Sequence, residues 1–267
     1  MLKYDKSIMK KEYDFSNGKQ GKFYDKNATF NIPTHKENTM QKLNTLSLKQ
    51  REELFRQLRV SITHHSNAME GTTLSFGETK KLLEYGNTAG EKPLHEQLII
   101  LGFAKAYDVI IREASNKENI MDSSFIKDIH AIMFEDALKV SPSFVSKPIG
   151  AYRLDERYIK GVEIKLSTPK MISNDMENLL YRVKSNNMTL LDISDFHILF
   201  ERIHPFADGN GRIGRLLMAY QAIQNNMIPP LIENEHRDEY LRVINDKREL
   251  TIFLEKSIEK SLDLIGL

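Results

Sequence analysis

The segment from residue 204 to residue 215, HPFADGNGRIGR, places several side chains that could do chemistry within twelve residues. His204 stands at its edge, where an imidazole could accept a proton from an incoming hydroxyl. Asp208 offers the oxygen ligand that Mg²⁺, or Mn²⁺, prefers between phosphates. Arg212 and Arg215 are three apart, so they share a helix face and can grip neighbouring phosphates. The pattern predicts transfer of a phosphate-linked group from a nucleotide.

Glycines separate the carboxylate from the arginines, and the next residues, LLMAYQAI, read as a helix. A turn of small residues that leads into a helix presents backbone N–H groups to an anion, and the helix dipole favours negative charge there. A simpler interpretation is a Gly-Asn-Gly turn that caps an ordinary helix with solvated arginines. It explains the glycines, but it does not explain His204, Asp208 and both arginines together.

The composition limits the classes of protein that can carry this segment. The chain has 267 residues, 40% of them hydrophobic, a net charge of +1 and no cysteine. Near-neutral charge argues against nucleic acid as a partner. The lack of cysteine excludes disulfides, thiolate zinc sites and cysteine nucleophiles, and it fits a cytoplasmic protein. No signal peptide is visible, and the longest apolar run, residues 98–104, is too short to span a membrane.

The elements that must position the site read as helices. Ser47 with Gln50, and Ser75 with Glu78, form capping-box signals. Further helices are predicted by apolar spacing and by start signals. The expected helices are 48 to the mid-sixties, 75–85 ended by Gly86, 94–114 near the core centre, one from Asp122, Ser123 or Ser124 through Phe134, one from Thr168-Pro169 through Val183, 192–202, 210–225, 236–247 and 249–264.

Two stretches depart from this helical pattern. Residues 1–40 are rich in Lys, Asn and Asp and lack periodicity. Residues 158–164 combine aromatic and β-branched residues around a glycine, which predicts a short β-hairpin. The expectation is therefore a mainly α protein with one hairpin and no βαβ alternation. The expected parts are an extension over 1–45, partly disordered or draped on the core, N-terminal helices over 46–90, and a core with C-terminal helices over 91–267.

The twelve-residue motif resembles the signature of the Fic family, His-x-Phe-x-(Asp/Glu)-Gly-Asn-Gly-Arg-x-x-Arg, and matches it at every defined position. The resemblance implies a Fic-type helical bundle with a β-hairpin flap, and transfer of AMP from ATP to a Ser, Thr or Tyr hydroxyl of a target protein. It also implies roles for single residues: His204 as general base, Asp208 as metal ligand, Gly209, Asn210 and Gly211 as the anion-binding nest, and Arg212 and Arg215 as phosphate ligands.

Residues 149–153 with the predicted hairpin resemble the Fic flap, which clamps a target segment by backbone pairing. The resemblance implies that the flap residues dock the target. They are Tyr158, Ile159, Lys160, Gly161, Val162 and Glu163. Residues 237–241 resemble the short helix after the core, with Tyr240. His197 is expected to be a packed core histidine.

Residues 66–71, SNAMEG, resemble the family's inhibitory motif, (Ser/Thr)-x-x-x-Glu-(Gly/Asn). The resemblance implies that Ser66, Glu70 and Gly71 form a brake in which Glu70 pairs with Arg215. A carboxylate in that guanidinium fork competes with the terminal phosphate of ATP. The alternative is a helix end with Ser66 and Glu70 on the surface and Gly71 as C-cap.

Several functional readings remain open beside autoinhibited AMP transfer to a target protein or to the chain itself. Glu70 could orient a water that removes AMP from a modified protein. Fic relatives also transfer UMP, phosphocholine or phosphate. A non-enzymatic nucleotide-binding regulatory module is the reading from another class. The partners expected are ATP, a target protein and a possible second copy of the chain, without a membrane or nucleic acid.

Overall fold

The computed structural model describes residues 42–158, 165–183 and 187–267. Within these residues the protein is helical throughout, and β pairing is confined to an isolated antiparallel bridge between Lys42 and Met227. The helices are α1 (Leu48–Ala68), α2 (Phe76–Tyr85), α3 (Leu94–Ala114), α4 (Ser123–Val140), α5 (Ile172–Arg182), α6 (Leu190–Ile203), α7 (Asn210–Gln224), α8 (Arg237–Val243) and α9 (Lys247–Asp263). Short 3₁₀ turns lie at Leu43–Thr45, Pro142–Phe144 and Asn234–His236. The mainly α prediction is confirmed.

The sequence signals for helix starts were accurate where a side chain caps the helix. Ser47 and Ser75 both form complete capping boxes, with Gln50 and Glu78 as their reciprocal partners. Asp122 caps α4 by accepting a hydrogen bond from the N–H of Phe125 at 2.8 Å. Such bonds satisfy backbone donors that have no partner inside the helix, so they fix where it begins.

Several predicted boundaries were wrong: α8 ends at Val243 rather than at 247, and α9 begins at Lys247 rather than at 249. Two further differences, at α5 and α4, have a visible cause. The N–H groups of Met171 and Ile172 both bond to the carbonyl of Thr168, so a turn precedes α5, and regular helix begins at Ile172 rather than at Pro169. Helix α4 continues past Phe134 to Val140, because Ala137 extends its buried face. Tertiary packing decides such ends, and local propensity does not reach that far.

Helix α7 occupies the centre of the fold. All of its residues from Arg212 to Ile223 are buried, and it packs against α1, α3, α4 and α6. A helix buried on all sides has no polar face to show in its periodicity. Helix α3 also lies in the core, as predicted, packed against α1, α2, α4 and α7. The site therefore begins at the first turn of the most enclosed helix.

The remaining predictions concern the ends and the flap. Residues 1–41 of the predicted extension and residues 159–164 of the predicted hairpin lie outside the described residues. Leu43 and Leu46 are buried, and the N–H of Leu43 bonds to the carbonyl of Asn226 after α7. In the described part of the chain, no helix combines the length and apolar character that crossing a bilayer requires.

Candidate active site

His204 forms the corner between α6 and the glycine turn. It is the C-cap of α6 with φ +52°, and its N–H bonds to the carbonyl of Phe200 at 2.9 Å. A non-glycine residue in the left-handed region is uncommon and costs energy. Arg153 secures this corner, since its Nε donates to the carbonyl of His204 at 2.8 Å and its backbone N–H donates to that of Pro205 at 2.9 Å.

The bonding of the His204 ring identifies its basic atom. Nδ1 lies 3.3 Å from the carbonyl oxygen of Glu201. A carbonyl can only accept, so Nδ1 carries the proton and Nε2 carries the lone pair. Burial lowers the pKa of His204 below its ordinary value, and the hydrogen bond to Glu201 opposes this only in part. The imidazole is therefore neutral at pH 7, as a general base must be.

Asn210 holds the glycine turn in shape. Its Oδ1 accepts from the N–H of Phe206 at 2.8 Å, and its Nδ2 donates to the Phe206 carbonyl at 2.9 Å. Gly209 has φ +78°, and a Cβ there would meet a ring carbon of Phe134 at 2.7 Å. No side chain caps α7. The first N–H groups of the helix are thus left for an anion, as the predicted nest requires.

Asp208 and Arg212 meet at the mouth of the turn. Oδ1 of Asp208 accepts from the N–H of Gly209 at 2.6 Å and from Nη2 of Arg212 at 3.1 Å. The Asp208 side chain is 44% exposed, whereas that of Arg212 is only 6% exposed and stacks over the ring of Phe134 at 4.9 Å. The interpretation of solvated arginines on an ordinary helix is therefore wrong.

The charge of Asp208 suits a divalent cation, although it stands alone. Among the described residues, no group of three or more His, Cys, Asp or Glu side chains could hold a metal ion. Mg²⁺ in nucleotide sites is ordinarily held by one or two carboxylates, with the phosphates and water supplying the other ligands. A single exposed carboxylate beside a phosphate nest fits that pattern.

Arg215 is already engaged by α1. Its Nε donates to Oγ of Ser66 at 2.8 Å, and its Nη2 donates to the Ser66 carbonyl at 3.0 Å and to Oε1 of Glu70 at 2.7 Å. Ser66 is 2% exposed and Arg215 is 8% exposed. The reading of Ser66 as a surface residue is therefore wrong. Gly71, at φ +92°, still acts as the glycine that turns the chain after the helix.

The Glu70 carboxylate lies over the start of α7. A Cβ added to Gly211 would come 2.6 Å from Oε1 of Glu70, so the carboxylate lies directly against the backbone of the first turn. Burial alone would raise the pKa of Glu70, but Arg215 and then Arg212 outweigh it and hold that pKa below its ordinary value. The ionised carboxylate of Glu70 thus lies where backbone N–H groups at the start of α7 would bind a phosphate.

Behind Arg215 lies a buried polar cluster that the sequence only partly revealed. Nε2 of His197 bonds to the hydroxyl of Tyr240 at 2.6 Å, and both side chains are buried, as predicted for His197. Glu201 was not predicted. Its Oε1 is buried with no hydrogen-bond partner among the described residues, and burial raises the pKa of its carboxyl to about 7, with Arg215 lowering it in part.

Other functional residues outside the motif were also missed. Arg237 donates from Nε to the carbonyl of Met69 at 3.0 Å, which ties the end of α1 to the start of α8. Arg153 and Arg237 end and begin stretches that resemble family segments, but no role was predicted for either residue, because their partners lie on other elements. Of the predicted flap residues, the structure describes Tyr158, whose side chain is 88% exposed, and the others lie outside the described residues.

Comparison with known proteins gives one family. The family model described as Fic/DOC matches residues 120–222. A protein adenylyltransferase Fic from Aedes aegypti is 28% identical over 215 residues, covering 75% of this chain and 40% of that protein. A protein adenylyltransferase fic-1 from Caenorhabditis elegans is 24% identical over 220 residues, covering 78% of this chain and 41% of the relative. The chain thus spans about two fifths of the length of the curated relatives it matches.

Solved structures agree on the fold. A Fic domain containing signaling protein from Bacteroides thetaiotaomicron superposes with a TM-score of 0.70 at 22% identity, covering 83% of this chain and 91% of the other. Fic-1 from Caenorhabditis elegans superposes with a TM-score of 0.68 at 23% identity, covering 84% of this chain and 67% of the other. The helices, the complete motif at the start of α7 and these matches lead to one conclusion: the chain carries a Fic domain.

Proposed function

We propose that this protein is an adenylyltransferase that moves AMP from ATP to a Ser, Thr or Tyr hydroxyl of a target protein, and that α1 holds it inactive. One observation carries the proposal: a neutral histidine, a carboxylate, an uncapped helix start and two guanidinium groups are grouped where α6 ends and α7 begins. Two curated proteins to which the chain is similar bear the name protein adenylyltransferase, which supports AMP as the transferred group.

The residues divide the reaction between a base and a phosphate cradle. The target oxygen attacks the α-phosphorus, a new P–O bond forms, and the bond to the leaving pyrophosphate breaks. Nε2 of His204 takes the proton of the attacking hydroxyl. The free N–H groups at the start of α7, with Arg212 and Arg215, hold the phosphates in line and offset their charge. Asp208 would hold Mg²⁺ or Mn²⁺, which when bound would neutralise charge on the phosphates.

Glu70 supports autoinhibition because it uses the donors that ATP needs. Arg215 is the second arginine of the motif, and its Nη2 is shared between the Ser66 carbonyl and Glu70. Arg215 is buried, whereas the Glu70 side chain is 34% exposed, and a terminal phosphate must displace this charge-assisted contact before it can bind. Removing Glu70 should raise AMP transfer by about tens- to hundreds-fold, which corresponds to a few kcal/mol of coupling.

The position of Glu70 also favours a second activity. Its carboxylate lies against Gly211, directly over the start of α7. There it could orient a water toward the phosphorus of a modified hydroxyl and so remove AMP. The same residue would then oppose AMP addition and promote AMP removal.

The test uses ATP labelled at the α- or γ-phosphate, with wild type, Glu70→Gly, Glu70→Gly with His204→Ala, and Glu118→Gly. Glu118 is an exposed turn glutamate remote in sequence from the motif, so it serves as the control for glycine substitution. We expect α-label on protein, strongest for Glu70→Gly, and none for the double variant. Glu118→Gly should match wild type.

Other outcomes would point elsewhere. Transfer of γ-label would indicate a kinase, and ATP binding without any label on protein would indicate a regulatory module. Equal labelling by wild type and Glu70→Gly would refute autoinhibition. For AMP removal, labelled Glu70→Gly protein is mixed with unlabelled wild type, and released AMP is measured. Release by wild type but not by Glu70→Gly is the expected result.

A further inference from the structure

Arg153 is a buried arginine whose guanidinium bonds only to backbone carbonyls among the described residues. It is 1% exposed. Its Nε donates to the carbonyl of His204 at 2.8 Å, Nη1 donates to that of Asp155, and Nη2 donates to that of Ser167. In the described part of the chain it forms no ion pair with an acidic side chain, and burial accordingly lowers its pKa.

Such an arginine is costly if it serves packing alone. A buried charge loses its hydration, and a hydrophobic side chain of similar size would fill the space more cheaply. What arginine offers is a rigid planar fork with donors in fixed directions. Here the fork joins three separate stretches of backbone, at Asp155, Ser167 and His204.

The three stretches are the parts that must cooperate in transfer. Asp155 and Ser167 lie on either side of the stretch that resembles the target-clamping flap, and His204 is the base. Two backbone bonds strengthen the connection, from Arg153 to Pro205 at 2.9 Å and from Ser167 to Arg202 at 3.3 Å. Both ends of the stretch are therefore fixed beside the corner that carries His204.

That corner is strained and needs support. His204 has φ +52°, and its N–H and Nδ1 are held from within α6 by Phe200 and Glu201. Its carbonyl, however, is held by Arg153. Without that bond, the left-handed conformation loses the support that comes from outside its own helix.

We propose that Arg153 is a positioning residue that locks the backbone of His204 and ties the backbone at Asp155 and Ser167 to it. This proposal rests on the adenylyl transfer proposed above. It assigns Arg153 an effect on the reaction step and leaves ATP binding to the start of α7. Misplacement of a base by about 1 Å can cost roughly 10²-fold in rate.

The experiment compares Arg153→Lys and Arg153→Ala in the Glu70→Gly background. Arg59→Met, which removes an arginine paired with Asp108 on α3, is the control. We expect Arg153→Ala to lower the rate of α-label transfer at saturating ATP by about 10²-fold, while the Kd for ATP changes less than about twofold. Added ethylguanidinium, which replaces the missing part of the side chain, should restore part of the rate of Arg153→Ala. It should leave the rate of the parent unchanged. Arg153→Lys, which keeps the stem and the charge, should lie between the two.

A second readout does not depend on catalysis. Amide hydrogen exchange at His204, at residues 153–158 and at 165–167 should quicken in both Arg153 variants and stay unchanged in Arg59→Met. If Arg153→Ala unfolds, Arg153→Lys supplies the same measurements. Equal loss of ATP affinity and rate, or unchanged exchange at these positions, would overturn the positioning role. If the Arg153 variants exchange faster than the parent, but the parent itself never transfers AMP, the proposed function is refuted and the locking contact is still supported.

Discussion

A residue's type defines what it could do, and its bonding partners decide what it does. His204 could be a base on either nitrogen, and the carbonyl of Glu201 selects Nε2. Asn210 was predicted to bind nucleotide as part of the nest, yet its side chain is already hydrogen-bonded to both the N–H and the carbonyl of Phe206. Its contribution to an anion would be its backbone N–H. The motif identified the candidates, whereas their tautomers and partners depend on backbone geometry that residue identity does not encode.

Asp208 permits a test of the metal at a single side chain. In the Glu70→Gly background, Asp208→Asn should weaken Mg·ATP by about tenfold or more, because a carboxylate ligand is lost. Free ATP should be affected less than about twofold, because Asn can still accept from Gly209 and Arg212 as Oδ1 does now. Calorimetry with Mg²⁺ and with a chelator measures both affinities. Equal losses under the two conditions would show that Asp208 acts through the turn and has no metal role.

Whole helices were the best predicted features, because their signals are local. The capping boxes at Ser47 and Ser75 needed only four residues each, and both helices begin where these boxes predict. The pairing of Ser66 and Glu70 with Arg215 joins residues 145 or more positions apart. No periodicity predicts such a contact. The pair between Glu70 and Arg215 came from resemblance to a known motif, and the structure added Oγ and the carbonyl of Ser66 as acceptors.

Helices α3 and α4 pack closely enough to test the support beneath the site. A Cβ on Gly102 would lie 2.2 Å from the carbonyl oxygen of Met133, which is backbone and cannot swing aside. Gly102→Ala should therefore destabilise the fold by about 1–3 kcal/mol. That cost exceeds the gain of about 1 kcal/mol that alanine brings to a helix. Because the next residue on α4, Phe134, touches Gly209 and Arg212, the variant should also bind ATP more weakly.

Gly77 provides the matched control on α2. A Cβ there would meet no atom within 4 Å, so Gly77→Ala should stabilise the protein by about 0.4–1 kcal/mol. Urea denaturation of the two variants measures both changes. If both substitutions shift the midpoint in the same direction, close packing of α3 on α4 does not govern this part of the fold.

The molecule as a whole gathers a charged cluster at the site from separate parts of the chain. Glu70, just after α1, shares one electrostatic environment with Arg215 of α7 and Glu201 of α6, and Tyr240 of α8 closes it. Arg215 has one ionised partner in Glu70, and Glu201 is the second carboxyl within its reach. Burial with a nearby like charge makes the neutral form of Glu201 favourable. Sequence could not foresee this cluster, since its members come from four elements and Glu201 belongs to no recognised motif position.

The protonation of Glu201 should make the stability of the whole protein depend on pH. Its carboxyl has a pKa of about 7 in the fold, against an ordinary value of 4.5. Between these values the folded protein keeps a proton that the unfolded chain has released, so stability falls as pH rises through this window. Glu201→Gln removes that proton equilibrium and resembles the neutral form. The difference in unfolding free energy between the variant and wild type should therefore rise by about 2–3 kcal/mol from pH 5 to pH 8, in favour of the variant.

Urea denaturation at pH 5, 6, 7 and 8 measures the difference between Glu201→Gln and wild type, in which the other titrating groups largely cancel. Glu118→Gln, which makes the same substitution at an exposed turn residue, is the control. A constant difference for Glu201→Gln would mean that Glu201 is ionised throughout. Arg215 would then face two charged carboxylates, and after loss of Glu70 the charge of Arg215 would still be compensated by Glu201. A growing difference means instead that Glu201 holds its proton below about pH 7, so that in this range Glu70 is the ionised carboxylate paired with Arg215 and ATP must replace it with a phosphate of its own.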